Sequence, residues 1–327
     1  TPITWDEALD EVAQRFQQQS EKYGNETIWP HFYAGTMGLV QRDGIDRLRH
    51  AMGYSRQHST ICSAASDAGW KAGVGAKRGV DAREIGEHSD VVVLWGTNAV
   101  HTQVNLMHHV SKASKRGAKL IVVDPYRNAT AKKADLHIML QPGSDGAVAS
   151  ALMHVLLKEN LADRDYLAGY TDFNNELEDH LETKTPEWAS AISGVSAEEI
   201  IEFARLIGCN PKTYYRFGYG FTRSRNGAFN MHAASCLPAM TGAWKYKGGG
   251  GLYSNSELCK LDKTMIVGSD VVDPDTRVLD QSRIGEILCG NPIDLQGGPP
   301  ITALLIQNTN PMMVSPSSVK VKKGFER

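Results

Sequence analysis

Continuous apolar runs that alternate with amphipathic segments are the clearest pattern in the chain. Val91 to Trp95 is an apolar run of the kind found in strands buried on both faces of a parallel sheet, and Lys119 to Val123 is another. Residues 103–116 between them have helical spacing, and Gly117 follows as a helix terminator. Two strands joined by a helix predict a β-α-β unit, from which parallel α/β sheets are built.

The N-terminal segment has the pattern of an amphipathic helix. Thr4 and Glu7 have capping-box spacing, and apolar residues from Leu9 to Phe16 recur on one face, which predicts a helix ending near Glu21. The glycine run 248–251 predicts a flexible crossover between domains. The other elements are predicted as strands over 27–32, 134–140, 213–217 and 300–307, a loop over 34–43, and helices over 44–52, 145–160 and parts of 162–209.

Composition excludes several classes of protein. With 35 basic and 37 acidic residues among 327, the net charge of −2 is too even for a protein whose main partner is a nucleic acid. The 41% hydrophobic and 22% charged residues are typical of a folded globular chain. Because no run reaches the roughly 18 apolar residues that a spanning helix needs, we expect no membrane span in this chain.

Five dispersed cysteines with no C-x-x-C pair predict thiols rather than a disulfide framework. Cys62 lies among small residues between Thr60 and Trp70. An inert buried thiol is one interpretation, because cysteine packs like a small apolar residue. Soft thiolate ligation of a heavy metal is the other.

Three predicted strands end in polar or glycine-bearing loops, which begin at Gly96, at Asp124 and at Asn308. Ligands of open α/β sheets bind beyond the carboxyl ends of the strands, where amides contact phosphate and a carboxylate accepts from ribose or a base. The loops therefore favour a nucleotide over plain polar turns. Gly73 to Gly79 lacks the G-x-G-x-x-G spacing and follows no strand, so a dinucleotide of the NAD type is not favoured.

Five motifs in order carry a resemblance to a known family. The chain resembles the central part of the molybdopterin oxidoreductases of the dimethyl-sulfoxide-reductase and formate-dehydrogenase superfamily, and the similarity extends over essentially all 327 residues. The motifs are the segments 62–69, 95–98, 123–127, 134–137 and 141–145.

The resemblance implies an α/β fold of two Rossmann-like parallel-sheet domains, the second inserted into the first. We expect residues 1–57 and 252–327 to form one domain around an inserted, molybdopterin-dinucleotide-binding domain of residues 58–251. It also implies molybdenum or tungsten held by two molybdopterin guanine dinucleotides. Relatives often carry a 4Fe-4S cluster in an N-terminal domain, so we expect this chain to be the middle of a longer protein and inactive alone.

The resemblance also assigns roles to individual residues. Cys62 occupies the position of the metal ligand, and Asp145 belongs to a loop that in relatives reaches guanine. The other residues that the resemblance places at the cofactor are Gly96, Thr97, Asn98, Asp124, Arg127, Gln141, Gly143, Gly218, Gly220, Asn226, Asn308 and Asn310.

Two departures bear on the substrate. Formate dehydrogenases usually have His after the metal ligand and an Arg beyond the glycine-rich crossing, whereas this chain has Ser63 and, near the second position, Ser254 or Asn255. Oxygen-atom transfer to or from a small substrate is therefore favoured over formate oxidation. The expected partners are that small molecule and an electron-transfer subunit, in the cytoplasm rather than the periplasm.

Two alternatives stay open. A relative without cofactor would serve as a scaffold subunit of a redox complex. A nucleotide-binding α/β enzyme unrelated to molybdenum would share the strand-end loops.

Overall fold

The computed structural model describes residues 2–35, 38–256 and 261–327. Its strands are β1 (Ile28–Phe32), β2 (Arg56–His58), β3 (Val91–Trp95), β4 (Lys119–Val123), β5 (Leu136–Ile138), β6 (Thr213–Phe217), β7 (Gly250–Leu252), β8 (Val278–Asp280) and β9 (Ala303–Gln307). Its helices are α1 (Trp5–Tyr23), α2 (Leu39–Met52), α3 (Ser63–Val74), α4 (Ile85–His88), α5 (Ala99–Thr102), α6 (Val104–Lys115), α7 (Asp145–Lys158), α8 (Arg164–Tyr170), α9 (Asn175–Glu182), α10 (Pro186–Ser193), α11 (Ala197–Gly208), α12 (Gly227–Met240), α13 (Thr264–Val267), α14 (Ile284–Leu288), α15 (Pro311–Val314) and α16 (Ser318–Phe325).

The chain forms two compact units. Residues 1–61 and 260–327 make up the first unit, and residues 62–259 the second. These limits lie a few residues beyond the predicted boundaries at 57/58 and 251/252. The assignment of the units as a discontinuous domain and an inserted domain stays a prediction.

The second unit is built on a parallel sheet with the strand order β5-β4-β3-β6-β7. Every residue of the central strand β3 is buried, because helices cover both faces. Val93 and Trp95 belong to the apolar cluster with α7, α11 and α12, whereas Val92 and Leu94 belong to the cluster with α6. The predicted parallel α/β class is confirmed here.

The first unit pairs distant parts of the chain. β1 lies parallel to β9, and β2 lies parallel to β8. The buried Arg277 joins the two parts, because its guanidinium donates to Ser55 Oγ at 2.8 Å and to the carbonyls of Leu295 and Pro299 at 3.1 and 2.8 Å. The first unit is therefore one packed body, although its two segments lie far apart in the sequence.

Several predicted boundaries need correction. The capping box of Thr4 and Glu7 is present, but α1 buries none of its described residues, and Leu9 is 61% exposed. α2 begins at Leu39 rather than at residue 44, because Gly44 is accommodated inside the helix. The helix predicted over 103–116 is confirmed as α6, and the short helix α5 that precedes it was not predicted. β9 is half-buried rather than buried.

The glycine run 248–251 is packed, and the prediction of a flexible crossover there is wrong. Gly250 begins β7, which pairs with β6 at the edge of the second unit's sheet. A Cβ on Gly249 would lie 2.3 Å from the carbonyl oxygen of Ala243, and one on Gly250 would lie 2.6 Å from the Trp244 ring. These glycines are required for close packing rather than for mobility.

No helix in the described part of the chain is both long enough and apolar enough to cross a bilayer.

Candidate functional site

A cavity of about 650 Å³ opens in the second unit, where β3, β4 and β6 end. Its volume is within the range of roughly 300–1,000 Å³ that is usual for small-molecule sites. Eight of the residues predicted at the cofactor line it together: Gly96, Thr97, Asn98, Asp124, Gly143, Asp145, Gly218 and Gly220. The structure thus brings these residues to one place, and their contact with a cofactor stays a prediction.

Glycines allow the loops after β3 and β6 to meet backbone to backbone. Gly218 N–H donates to the Trp95 carbonyl at 2.7 Å, and Gly220 N–H donates to the Gly96 carbonyl at 3.0 Å. A Cβ on Gly218 or Gly220 would lie 2.3 or 2.6 Å from the Gly96 oxygen. The two loops therefore form a continuous floor that no larger residue at these positions would allow.

The loop after β3 presents an oriented amide. The hydroxyl of Thr130 donates to Asn98 Oδ1 at 2.8 Å and accepts from the backbone N–H of Val100 at 3.0 Å. Because the Asn98 oxygen is engaged as an acceptor, its NH₂ group is the part of the amide left to donate. Thr97 lies beside it and accepts from Gln103 Nε2 at 3.1 Å.

Asp145 is a buried carboxylate in which one oxygen accepts a hydrogen bond and the other has no donor within hydrogen-bond distance in the described part of the chain. The indole N–H of Trp95 donates to Oδ1 at 2.8 Å, whereas Oδ2 has no hydrogen-bond partner among the described residues. Burial raises the pKa of Asp145 to about 6 and the charge of Asp124 adds to that rise, whereas the Trp95 N–H and the backbone N–H groups of Asp145 and Gly143 oppose it. A buried oxygen without a donor is costly, so this cavity is suited to a ligand that donates hydrogen bonds.

Asp124 is the second carboxylate of the cavity. Its Oδ1 accepts from the backbone N–H of Tyr126 at 3.2 Å. Burial raises the pKa of Asp124, and the Tyr126 N–H opposes that rise. Two carboxylates in one cavity favour a ligand that carries several N–H or O–H donors.

Cys62 lies immediately before α3. Its backbone has φ of +32° and ψ of −75°, a conformation that residues other than glycine rarely adopt. Its carbonyl accepts from Ser66 N–H at 3.0 Å, Ser66 Oγ at 3.0 Å and Thr222 Oγ1 at 3.1 Å. A strained backbone persists where the surroundings determine it, and such strain is often found at functional residues. Cys62 itself is half-buried and is not among the residues that line the cavity.

α3, which begins next to Cys62, packs closely on α12 through two glycines. A Cβ on Gly69 would lie 2.2 Å from the carbonyl oxygen of Ala228, and one on Gly73 would lie 2.2 Å from Ser235 Oγ. Small residues at this four-residue spacing lie on one helix face and let two backbones approach. The position of α3 is therefore fixed by backbone contact.

Besides Cys62, five predicted residues are not among the cavity-lining residues. Arg127 and Gln141 are exposed on the same loops. Asn226 is exposed and supports the wall from outside, because its Nδ2 donates to the Gly143 carbonyl at 3.0 Å. Asn308 and Asn310 lie in the first unit, where Asn308 has φ of +55° and donates through Nδ2 to the Gln41 carbonyl at 3.0 Å.

Sequence reasoning missed several residues around the cavity. Trp95 was interpreted only as the end of a buried strand, and its hydrogen bond to Asp145 spans 50 positions of sequence. Thr222 and the buried Asn230 had no motif that would reveal them. The cavity-lining residues that were not predicted include Tyr126, Asn128, Arg216, Phe221 and Ser224.

Comparison with known proteins gives consistent matches. Residues 1–324 match the family model described as molybdopterin oxidoreductase. The probable oxidoreductase YoaE of Bacillus subtilis is 36% identical over 328 residues, which is 100% of this chain and 47% of that protein. The dimethyl sulfoxide reductase DmsA of Haemophilus influenzae is 32% identical over 76% of this chain and 35% of its own length. Formate dehydrogenase H of Escherichia coli is 32% identical over 74% of this chain and 34% of its own length.

Among solved structures, the acetylene hydratase from Pelobacter acetylenicus shares the fold. Its TM-score is 0.73 with 19% sequence identity, and the match covers 99% of this chain and 49% of that one. The chain thus spans about half, or less, of the length of the proteins that it matches.

Proposed function

Because the chain belongs to the molybdopterin oxidoreductase family, we propose that its cavity binds the guanine nucleotide of a molybdopterin guanine dinucleotide and that Cys62 ligates molybdenum or tungsten. The family match removes the alternative of a nucleotide-binding enzyme unrelated to these proteins. The homologues support an oxidoreductase.

Asp145 is the observation that carries the nucleotide assignment. Guanine has adjacent N1–H and N2–H₂ donors on one edge, and a carboxylate accepts two such donors. Oδ2 of Asp145 lies buried without a donor, and Oδ1 is already held by Trp95. A guanine edge would satisfy Oδ2 and favour the charged carboxylate. Adenine, whose corresponding edge offers an acceptor at N1, would not.

The rest of the cavity fits the remainder of a nucleotide. Asp124 accepts hydrogen bonds of the kind that ribose hydroxyls donate, and Asn98 offers its NH₂ group to a phosphate. Arg223, which is exposed and lines the cavity, supplies positive charge for a pyrophosphate, whereas Nη1 of the lining residue Arg216 already donates to the Leu252 and Tyr253 carbonyls. Donors, acceptors and charge therefore fit the nucleotide end of the cofactor.

Cys62 fits the metal end by its chemistry. Thiolates are suited to the soft metals of this family, and the Cys62 carbonyl accepts from the Ser66 N–H and lies within 3.1 Å of the Ser66 and Thr222 hydroxyls, which fixes the backbone of the ligand. When bound, the cofactor supplies a metal that changes its oxidation state as substrate is oxidised or reduced. The chain's own contribution is to orient the nucleotide at Asp145 and to present the sulfur at residue 62.

For the reaction we propose oxygen-atom transfer to or from a small substrate. Ser63 follows Cys62 where formate dehydrogenases usually have His, so the proton acceptor expected for formate is replaced by a hydroxyl. A 4Fe-4S cluster and an electron-transfer partner would lie in parts of the protein beyond these residues. We expect residues 1–327 alone to be inactive with a sulfoxide or nitrate and a reduced dye.

The nucleotide assignment is tested by calorimetry on protein produced without molybdopterin. GDP should bind the wild type, and xanthosine diphosphate should not, because its C2 carbonyl would face Asp145 Oδ2. The Asp145→Asn variant should reverse this preference, since an NH₂ group then faces the ligand. Asp165→Asn, an exposed aspartate in the first turn of α8, is the matched control. Equal affinity of the wild type for both nucleotides would contradict the assignment.

Metal analysis tests Cys62 and separates an enzyme from a cofactor-free scaffold. The full-length protein from a host that makes the cofactor should contain molybdenum or tungsten and release GMP on hydrolysis. The Cys62→Ala variant should keep the GMP and lose most of the activity. Protein that contains neither metal nor guanine nucleotide would favour the scaffold.

A further inference from the structure

We propose that the segment from Thr222 to Asn230 couples occupation of the nucleotide cavity to the backbone conformation of Cys62. This segment, here called the turn, consists of the loop before α12 and the first residues of that helix, and Thr222 and Asn230 are its positioning residues. The inference rests on the proposed function. Neither residue lines the cavity, and both are buried, with exposed fractions of 2% for Thr222 and 1% for Asn230.

One end of this turn holds Cys62. Thr222 Oγ1 lies 3.1 Å from the Cys62 carbonyl oxygen and 2.8 Å from Ser66 Oγ. Ser66 is fully buried, and its own hydroxyl also lies 3.0 Å from the Cys62 carbonyl oxygen. Two side-chain hydroxyls that lie far apart in sequence therefore hold the carbonyl of the strained residue.

The other end of the turn holds the cavity wall. The backbone N–H of Gly146 donates to Asn230 Oδ1 at 3.0 Å, and Nδ2 of Asn226 and of Asn230 lie 3.0 and 3.4 Å from the Gly143 carbonyl oxygen. Gly143 and Asp145 both line the cavity. A ligand that contacts this loop thus acts on a segment that is hydrogen-bonded to the turn.

The turn between these ends is tight. Gly227 N–H donates to the Ser224 carbonyl at 3.0 Å, and a Cβ on Gly227 would lie 2.2 Å from the Thr222 carbonyl oxygen. Asn230 Nδ2 also lies 3.4 Å from Ser224 Oγ, which is itself a lining residue. Because the turn is closed by backbone contact, a displacement at one end is transmitted to the other.

The consequence is a reciprocal coupling between two places in one unit. A nucleotide that restrains the loop from Gly143 to Gly146 restrains the turn, and the turn then holds the Cys62 carbonyl in its strained conformation. Linkage requires that restraint at Cys62 raise nucleotide affinity by the same factor. Binding of the nucleotide would therefore hold the backbone of Cys62, the proposed metal ligand, in its observed conformation.

The test measures the alkylation of Cys62 by iodoacetamide in protein made without molybdopterin, with and without saturating GDP. Mass spectrometry of the peptide that contains Cys62 separates it from the other cysteines. In the wild type, GDP should slow this alkylation by about fivefold, the lower end of typical allosteric coupling. In Thr222→Val, GDP should still bind by calorimetry but should no longer slow it.

Two controls separate coupling from direct shielding and from misfolding. Thr222→Ser keeps the hydroxyl and should retain the effect of GDP. Thr241→Val makes the same change at a buried threonine just after the other end of α12, whose hydroxyl is bonded to the Leu237 carbonyl, and should behave as the wild type. If Thr222→Val fails to bind GDP, Ser66→Ala takes its place. In this variant too, GDP should no longer slow the alkylation of Cys62.

The outcomes distinguish this inference from the proposed function. Full protection of Cys62 by GDP in Thr222→Val would overturn the coupling, because the nucleotide would then shield the thiol directly. GDP binding to the wild type with no change in alkylation would also overturn it and would leave the nucleotide site standing. No GDP binding to the wild type would remove both.

Discussion

The indole N–H of Trp95 donates to Oδ1 of Asp145 at 2.8 Å, so the last residue of the central strand orients the first residue of α7. The bond leaves the second carboxylate oxygen to the cavity. Without it, neither oxygen of Asp145 would have a side-chain donor among the described residues.

Trp95→Phe removes this donor and preserves most of the packing. Since the Trp95 N–H lowers the pKa of Asp145, its loss should raise that pKa above about 6 and weaken GDP binding at neutral pH. An unpaired buried oxygen should also lower the free energy of unfolding by about 1–3 kcal/mol. Calorimetry and chemical denaturation check both effects. Trp188→Phe, a half-buried tryptophan that does not line the cavity, should leave GDP affinity unchanged.

The stability of the empty protein should depend on pH through Asp145. Its pKa is about 6 in the folded protein and near 3.8 when unfolded, so the folded state binds the extra proton between these values. Stability should therefore rise as the pH falls from 7 towards 4, by up to about 3 kcal/mol from this group. Asp145→Asn should be more stable than the wild type at pH 7, and the difference should shrink at pH 4. Melting curves over this range measure it, and an unchanged difference would contradict the assignment.

Gly69→Ala should disturb the contact between α3 and α12. The added Cβ would lie 2.2 Å from the Ala228 carbonyl, which is backbone and cannot rotate away. We expect a loss of about 1–3 kcal/mol in the free energy of unfolding and faster alkylation of Cys62. Gly169→Ala is the control, since its Cβ meets no atom within 4 Å and a helical alanine should stabilise by up to about 1 kcal/mol.

Arg277→Met should destabilise the first unit. The change leaves the Leu295 and Pro299 carbonyls and the Ser55 hydroxyl without their charged donor, at a cost of about 1–3 kcal/mol for each buried group that stays unsatisfied. Arg283→Met removes ion pairs with Asp294 and Glu286, and because the Arg283 side chain is 45% exposed the change should cost only about 1 kcal/mol. Urea denaturation of both variants compares them, and equal losses would show that Arg277 does not join the two segments.

The central sheet could be predicted from sequence because its signal is local. β3, β4 and β6 were predicted at their observed limits, since each is a short apolar run that ends in a polar or glycine-bearing loop. The prediction of elements from local sequence failed at glycines that are accommodated inside a strand or a helix. Gly250 was predicted to lie in a flexible crossover and Gly44 to begin a helix, whereas Gly250 lies in a buried strand and Gly44 lies inside a helix.

The candidate site was predictable where residues follow a strand and not where they meet across the fold. Gly96, Asp124 and Asp145 follow or flank predicted elements, so strand ends pointed to them. Thr222 reaches Cys62 across 160 positions of sequence, and Asn230 reaches Gly146 across 84. One sequence contains no local pattern for such contacts, because they depend on how α12 packs against α3 and α7.

The pairing of β1 with β9 has a consequence for biosynthesis. Thr27 and Thr302 hydrogen-bond at 2.9 Å across 275 residues, whereas the second unit is a contiguous stretch of chain. As the polypeptide leaves the ribosome, the whole of the second unit must be translated before β9, the partner strand of β1, exists. The second unit, which is contiguous, is therefore complete in the nascent chain before β1 can form its strand pair.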